Sequence, residues 1–473
     1  MAEGYVYTQG DIIVEPYKFE KILKLKIVRE LNEHARAYLS GIVSDEYETS
    51  DKCVEWANEN SSIKISAKDN NGKIKDLFYG VVNKISVKSI DNVKTLEIEA
   101  LSNTCKMDIE KRSRSFQGNN RTYREIFDTI NNEYSGVVMI DYVSAGRTVQ
   151  VMVIQYNETN WRLLRRLASH FNVPIIPECR MDGIKYSIGR GEACALHSLD
   201  QFNYSTIKNI GEFRIKSAQG IADNDMNFVS YRFTTNLILD LFNTIEFKNR
   251  YLNIYKCEME IVNGVLQNTY VLRDEKAMKV RKYYNENLSG ASLEGKIVAA
   301  KNDVVKIALK VDAYSNTADS NTEWVPYSTV FSSPDGTGWY CMPEEGDAIR
   351  LYFPDSDEKN AYAISSVNLE SSNKEKRCDP SVKSLGTKYG KEIVMSPGAI
   401  NVISSSNSMT LTDGGGISIS SDSSISMSAP TISIEGGEVT IKGTDQVELS
   451  QDGGASIKIT DNIDMSGSKI NTQ

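Results

Sequence analysis

Along residues 390–473 the chain beats in aliphatic pairs, each split by one polar or small residue. Met409/Leu411, Ile417/Ile419, Ile425/Met427, Ile432/Ile434, Val439/Ile441, Val447/Leu449, Ile457/Ile459 and Ile463/Met465 all follow this form. An apolar-x-apolar pair predicts a short strand with one buried face. First members of successive pairs lie 8, 8, 7, 7, 8, 10 and 6 residues apart, with turn formers between them: Asp413-Gly414-Gly415-Gly416, Gly436-Gly437, Gly443 and Gly453-Gly454. A near-octad beat of strands predicts a repeat architecture. A disordered Ser/Gly-rich tail has no reason to keep its aliphatics in phase.

These strands offer two inward aliphatics each, and the segment holds no Phe, Tyr, Trp, His or Cys. So narrow an interior suits three chains wound about one axis, each covering one face and then passing to the next. Counting a ninth strand near Ile470, three chains give about 27 strands, or roughly nine per face, a needle of roughly 40–45 Å. Every strand is then expected to pair with strands of sister chains, which leaves few free edges. The predicted spike core is Met409, Leu411, Ile417, Ile419, Ile425, Met427, Ile432, Ile434, Val439, Ile441, Val447, Leu449, Ile457 and Ile459.

Upstream the period-2 pattern recurs with longer strands. Leu23/Leu25/Ile27 alternate with Lys24/Lys26, and Ile63/Ile65, residues 78–87 and Leu96/Ile98/Ala100 read the same way. Two helices interrupt them. Residues 122–133 open with Thr122-x-x-Glu125, a capping box, and carry Ile126, Phe127 and Ile130 on one side. Residues 160–171 place Trp161, Leu164, Leu167, Ala168 and Phe171 on one stripe, with Arg162, Arg165 and Arg166 expected on a solvated face, and Pro174 forbids continuation. Residues 251–271 alternate again, a second β unit.

From about Gly290 the strands shorten: 295–300, 304–311 and 348–353, with Trp324-Val-Pro-Tyr327 and a Gly338–Asp347 corner between the last two. About five short strands with Pro and Gly at the corners predict a small Greek-key barrel of OB type, with Trp324 and Trp339 in its core. Residues 370–388 read as a polar linker.

The length of 473 residues fits about three domains, and 40% hydrophobic with 25% charged residues is globular. A net charge of −9 disfavours a nucleic-acid grip as the main role. From Lys388 onward ten acidic and five basic residues leave −5, which keeps a long β surface soluble. The seven cysteines are odd in number and lack CxxC spacing, as in a chain made in a reducing cytoplasm. The N-terminus shows no signal-peptide pattern, and no run approaches 18 apolar residues. Action outside the cell then implies export other than through a signal peptide.

Three stretches resemble the hub–spike proteins of contractile injection machines: the valine–glycine repeat protein G (VgrG) of type VI secretion and its phage-tail and tailocin equivalents. Leu31-Asn-Glu-His-Ala35 with Leu39-Ser-Gly-Ile-Val43 is similar to the first hub barrel. Ile154-Gln-Tyr-Asn-Glu-Thr-Asn-Trp161 through Leu164-x-x-Leu167 resembles the segment between hub barrels. Trp339-Tyr-Cys-Met-Pro343-Glu-Glu-Gly346-Asp347-x-Ile349-x-Leu351-x-Phe353 is similar to the P-x-x-G-D core of the family's OB domain, with Trp339, Pro343, Gly346 and Asp347 as its marked positions. The chain departs from the family in having Ser/Thr-x-Ile-x-Ser in place of Val-Gly repeats, no effector domain after the spike, no terminal His-x-His and no inserted lysozyme domain.

The resemblance implies a mainly β chain. Its parts are a hub of two β-barrel-like subdomains with a few helices (1–289), an OB-fold barrel (290–369), a linker (370–388) and a C-terminal intertwined triple-stranded β-helix in a homotrimer (389–473). Two similar hub barrels per chain imply six in a trimer, which adapts a threefold needle to a sixfold tube. Implied partners are the tail tube, baseplate proteins, the tape-measure terminus, a possible tip protein and the target-cell envelope, with no cofactor or metal. Competing readings are a trimeric receptor-binding fibre, for which a distal binding domain is missing after Gln473, and a wall-degrading tail enzyme.

Chemistry-bearing residues are sparse. Cys194-x-x-His197 is half a metal site or a Cys/His pair, but lacks further ligands at set spacing. His34 reads as a packed polar residue, and His170 as a helix-end imidazole favoured by the dipole. No carboxylate pair is marked as acid and base, and the glycine runs lack the Lys-Ser/Thr of a phosphate loop. The expectation is a structural protein, not an enzyme.

Overall fold

Strand Lys21–Glu30 is the seam of the largest sheet: it pairs with Glu33–Ile42 on one edge and with Arg250–Val262 on the other. The computed structural model describes residues 5–43, 50–91, 93–118, 120–191, 196–198, 203–312, 322–366, 368 and 373–469. Contacts divide the chain into two compact units, Met1–Leu369 and Glu370–Gln473.

Through the seam the two β-rich halves of the N-terminal region join in one twelve-stranded sheet. One side runs outward through Val93–Ser102, Ile74–Ile90 and Ser62–Lys68 to Ile12–Glu15. The other runs through Val265–Arg273 and Val229–Thr235 to Tyr204–Lys208. One hydrophobic cluster contains residues of both halves, among them Leu25, Ile63, Phe78, Ile98, Phe233, Leu252 and Tyr270. Leu25 and Ile27 are buried as their alternation predicts, but Leu23 is exposed and Ile22 buried in its place. A register shift between Ile22 and Lys24 inserts one residue, and one residue of slip exchanges the faces of a strand.

The two expected helices are Tyr123–Asn131 and Asn160–Ser169. Thr122 closes its capping box in both directions: Glu125 N–H donates to Thr122 Oγ1 at 3.2 Å, and Thr122 N–H donates to Glu125 Oε2 at 2.8 Å. Both helices bury their apolar stripes in a second cluster with Phe116, Trp161 and Tyr186. The expected solvated arginine face is corrected. Arg162 is outward, but Arg166 is 2% exposed, because a structure 192 residues further on covers that side of the helix.

Strands Ser292–Lys301, Val304–Leu309, Trp324–Pro326, Ala348–Tyr352 and Tyr362–Ile364 form a five-stranded antiparallel sheet. Its two edge strands meet through Tyr327 and Ala363, where Ser328 N–H donates to Ala363 O at 2.8 Å, so the sheet closes on itself. Its interior is Leu293, Ile297, Val305, Ile307, Ile349, Leu351 and Phe353, with Met152 and Ile154 contributed from upstream. Trp324 and Trp339 are not in it: they are 42% and 55% exposed. The interior is filled mainly by aliphatics of the strands with Phe353, and Trp339 lies on the connection before Pro343, outside any strand.

In the C-terminal unit, Lys383–Gly386, Lys391–Ser396, Ala399–Ser404, Asn407–Thr412 and Gly416–Ser420 form a five-stranded antiparallel meander. Val447–Ser450, Ser456–Ile459 and Ile463–Ser466 form a three-stranded one. The expectation that every strand pairs only with sister chains is therefore corrected: consecutive strands here pair within the chain, through tight reversals at Pro397-Gly398 and Ser405-Ser406. The first strand also falls inside the stretch read as linker. The position near Ile470 lies outside the described residues.

Candidate functional site: an uncovered aliphatic face

The register of the five-stranded meander stacks its aliphatics in two cross-strand ladders on one face. The first runs Leu385, Ile393, Val402, Met409, Ile419, and the second Met395, Ile400, Leu411, Ile417, with Lys383 at its rim. The opposite face carries Val394 and Ile403 but mostly Ser, Thr and Asn, with Thr410 Oγ1 donating to Asn401 Oδ1 at 2.9 Å. In the three-stranded meander Leu449, Ile457 and Met465 form one ladder and Val447, Ile459 and Ile463 a second, again on a single face.

Among the described residues nothing covers these faces. Ile417 is 66% exposed, and Ile419, Leu449, Ile463 and Met465 are all more than half exposed. Fully burying one such side chain is worth about 1.5–3 kcal/mol, so two contiguous ladders left in water are a large unfavourable term. Continuous apolar surface of this kind marks an interaction face.

The structure thus brings Met409, Leu411, Ile417 and Ile419 together on one face, and Val447, Leu449, Ile457 and Ile459 on another. Ile425, Met427, Ile432, Ile434, Val439 and Ile441 lie in residues 421–446, which form no strand, and all six are exposed. Leu385, Ile393, Met395, Ile400 and Val402 were missed by the sequence reading. The signal was present, since Ile393-x-Met395 and Ile400-x-Val402 have the same apolar-x-apolar form.

The barrel motif is a turn. Gly346 sits at φ +88°, a left-handed conformation that suits glycine. Glu344 N–H donates to Asp347 Oδ2 at 2.8 Å, while Gly346 N–H and Asp347 O bond Ile297 O and N–H, each at 2.9 Å. Pro343 is buried beneath it. Pro, Gly and Asp at this spacing therefore fix the corner against strand Ser292–Lys301.

A buried ion triad joins this barrel to the helix Asn160–Ser169. Arg166 donates to Glu158 through Nε at 3.0 Å and Nη2 at 2.9 Å, and to Glu358 through Nη1 at 2.6 Å. Burial works to lower the Arg166 pKa, but the two carboxylates outweigh it and hold the guanidinium charged. Nη2 also donates to Ile154 O at 2.9 Å, so each nitrogen of the guanidinium has an acceptor, as a buried charge requires.

The remaining chemistry-bearing residues have structural partners. His34 Nδ1 bonds Thr104 Oγ1 at 2.8 Å and its ring packs 4.7 Å from Trp161. His170 caps its helix, but burial pushes its pKa down to about 3, so the imidazole is neutral and bonded to Tyr123 Oη at 2.9 Å. The favourable charge expected at a helix C-terminus is absent there. His197 lies on strand Leu196–Ser198, and Cys194 is outside the described residues. Among the described residues no three His, Cys, Asp or Glu gather as a metal site, and no helix is long and apolar enough to cross a membrane.

Solved structures share this architecture. The E. coli c3393 protein, a type VI secretion component described as structurally similar to T4 tail proteins gp27 and gp5, superposes with a TM-score of 0.53 at 11% identity, over 74% of this chain and 98% of its own. The Francisella PdpA–VgrG complex in its half-lidded form gives 0.55 at 10%, over 88% of each chain. Its lidded form gives 0.56 at 11%, over 84% of this chain and 76% of that one. The chain has a VgrG-like fold. No protein-family model and no curated protein sequence matches it. A likeness at this identity is one of fold, and the VgrG-like, mainly β architecture expected from the three motifs is what the chain adopts.

Proposed function

We infer that this VgrG-like chain is the structural hub and spike of a phage-tail-like contractile injection machine, and that it works as a homotrimer. The uncovered aliphatic ladders carry the reading. They have strand geometry, a single apolar face and no covering element, and three identical copies about an axis supply what each lacks. Apart from Lys383 and Lys391 at its margin, the five-stranded face carries no charge that repels a second copy of itself.

In this reading residues 1–289 form the hub, 290–369 the OB-type barrel, and 383–473 the spike with a shorter linker before it. The hub matches a sixfold tube to a threefold needle, and sheath contraction drives the needle through the target-cell envelope. Function is mechanical: a prism bonded along its sheets resists buckling, and the chain is not an enzyme and uses no cofactor. Partners are the tube, the baseplate, the tape-measure terminus and a possible tip protein, and the assembled particle acts outside the producing cell.

The test is assembly on the native particle. Antibody gold against the C-terminal unit should label one end of negatively stained particles, and deletion of the gene should give particles that lack a central spike. Intact particles from the deletion strain, or peptidoglycan clearing by the purified chain in a zymogram, would overturn the reading.

A further inference from the structure

A cleft between the helix Ile210–Ala218 and the stretch 277–283 has no place in the mechanical role. It encloses about 440 Å³, within the range of ligand pockets, and much of its wall is apolar, including Leu31, Pro174, Ile215, Met278 and Val280. Three cations line it, Lys216, Lys279 and Arg281, against one carboxylate, Glu212. That positive excess runs against the chain's net charge of −9.

Lys216 is the buried cation. It is 8% exposed, and its Nζ donates to Glu212 Oε1 at 2.8 Å and to Ala277 O at 2.7 Å. An ammonium has three donors, so one is left without an acceptor. Glu212 is shared, since Arg273 Nη1 lies 3.3 Å from its Oε2. Burial holds the Lys216 pKa below its ordinary value despite Glu212, so a second carboxylate beside it favours the charged form. Lys279 and Arg281 are exposed at the rim, and among the described residues neither pairs with a carboxylate.

The rim is also an open backbone edge. Val280 is tied down: its N–H donates to Asn172 O and its carbonyl accepts from Asn172 Nδ2, each at 2.9 Å. Tyr283 N–H donates to Ser169 Oγ at 2.8 Å. Lys279 is extended, at φ −55° and ψ 133°, and the backbone groups of Lys279 and Arg281 have no partner among the described residues. We propose that this cleft binds an extended peptide segment of a partner protein, one that carries a carboxylate beside an apolar side chain. The peptide backbone pairs along 279–281, its apolar side chain fills the cavity, and its carboxylate meets Lys216 and the two rim cations. A chain terminus and an Asp or Glu side chain supply the same group. Every residue of the site belongs to one chain, so the site is complete without a sister copy.

Calorimetric titration of the purified chain with short acetylated peptides tests this. Amidated Gly-Val-Asp-Leu-Val carries a side-chain carboxylate, and Gly-Val-Thr-Val-Leu with a free end carries a terminal one. Amidated Gly-Val-Asn-Leu-Val carries none, and N-methylated versions of the two acidic peptides block backbone pairing. At least one acidic peptide should bind, and whichever binds more tightly identifies the source of the carboxylate. Loss of the carboxylate, or N-methylation, should weaken binding about tenfold or more. Lys279→Glu with Arg281→Glu changes two exposed residues and should abolish binding without disturbing the fold. Lys216→Met should remove the preference for Asp over Asn. No binding by either acidic peptide, equal binding with and without the carboxylate, indifference to N-methylation, or unchanged affinity in the K279E/R281E variant would each overturn the proposal.

Discussion

Arg166 reaches Glu358 across 192 residues of sequence, donating from Nη1 to Oε1 at 2.6 Å in a site where both side chains are nearly free of solvent. With Glu158 on the other side of the guanidinium, this contact ties the helix Asn160–Ser169 to the small barrel. In the proposed hub and spike such a tie would make the two parts move together under load.

Removing one partner of a buried pair costs more than replacing the whole set. Arg166→Met leaves two carboxylates facing each other in a low-dielectric site, at a cost of about 3–5 kcal/mol. The triple change R166M, E158Q, E358Q should recover most of that loss, because no unpaired charge remains. Thermal unfolding followed by circular dichroism checks both. Equal destabilisation by the single and triple variants would show that packing, and not charge, holds the junction.

His170 gives a pH signature. Its folded pKa of about 3 lies below the ordinary histidine value, so the imidazole is neutral in the fold. Its contribution to stability is complete above pH 6.5 and is lost progressively as pH falls toward 3, because the unfolded chain binds a proton that the folded chain does not. The slope is at most about 1.4 kcal/mol per pH unit. His170→Gln keeps a hydrogen-bonding partner for Tyr123 and should flatten the difference in unfolding midpoint between pH 6.5 and pH 5. An unchanged difference would show that His170 titrates normally.

Gly346 tests the corner of the barrel motif. A Cβ there meets nothing within 4 Å, so Gly346→Ala pays only for its φ of +88°. The expected cost is about 1 kcal/mol, seen as a small drop in unfolding temperature with assembly intact. Gly346→Asn should cost less, since asparagine tolerates the left-handed region. A loss of several times that size would mean that another surface closes on the turn.

The two faces of the five-stranded meander should respond in opposite ways. Ile419→Asp places a charge on the outermost rung of the aliphatic ladder and should abolish assembly, while Ser418→Asp, one residue away on the polar face, should leave it unchanged. Size-exclusion chromatography of the two variants separates them. Assembly that survives I419D would remove this face from the interface.

Much of this was legible in the residues. Thr122 and Glu125 announced a capping box by spacing alone, and the structure closes it. Pro343, Gly346 and Asp347 marked a corner because each residue type has one local task there. What escaped depended on distant sequence or on a choice that periodicity does not encode. Arg166 looks like a surface residue until Glu358 comes to cover it. Leu23 carries the right spacing, but the bulge between Ile22 and Lys24 turns it outward. In the C-terminal unit, inward–outward alternation is identical whether strands pair within a chain or between chains. The octad beat therefore located part of the aliphatic face, while the pairing expected with sister chains is made within the chain in both meanders.

The mass of the purified full-length chain in dilute solution, measured by light scattering, tests the central claim most directly. Three times the mass of one chain is the predicted value, because the ladders from Leu385 to Ile419 leave water only against sister copies. A folded, β-rich particle with the mass of a single chain would contradict it.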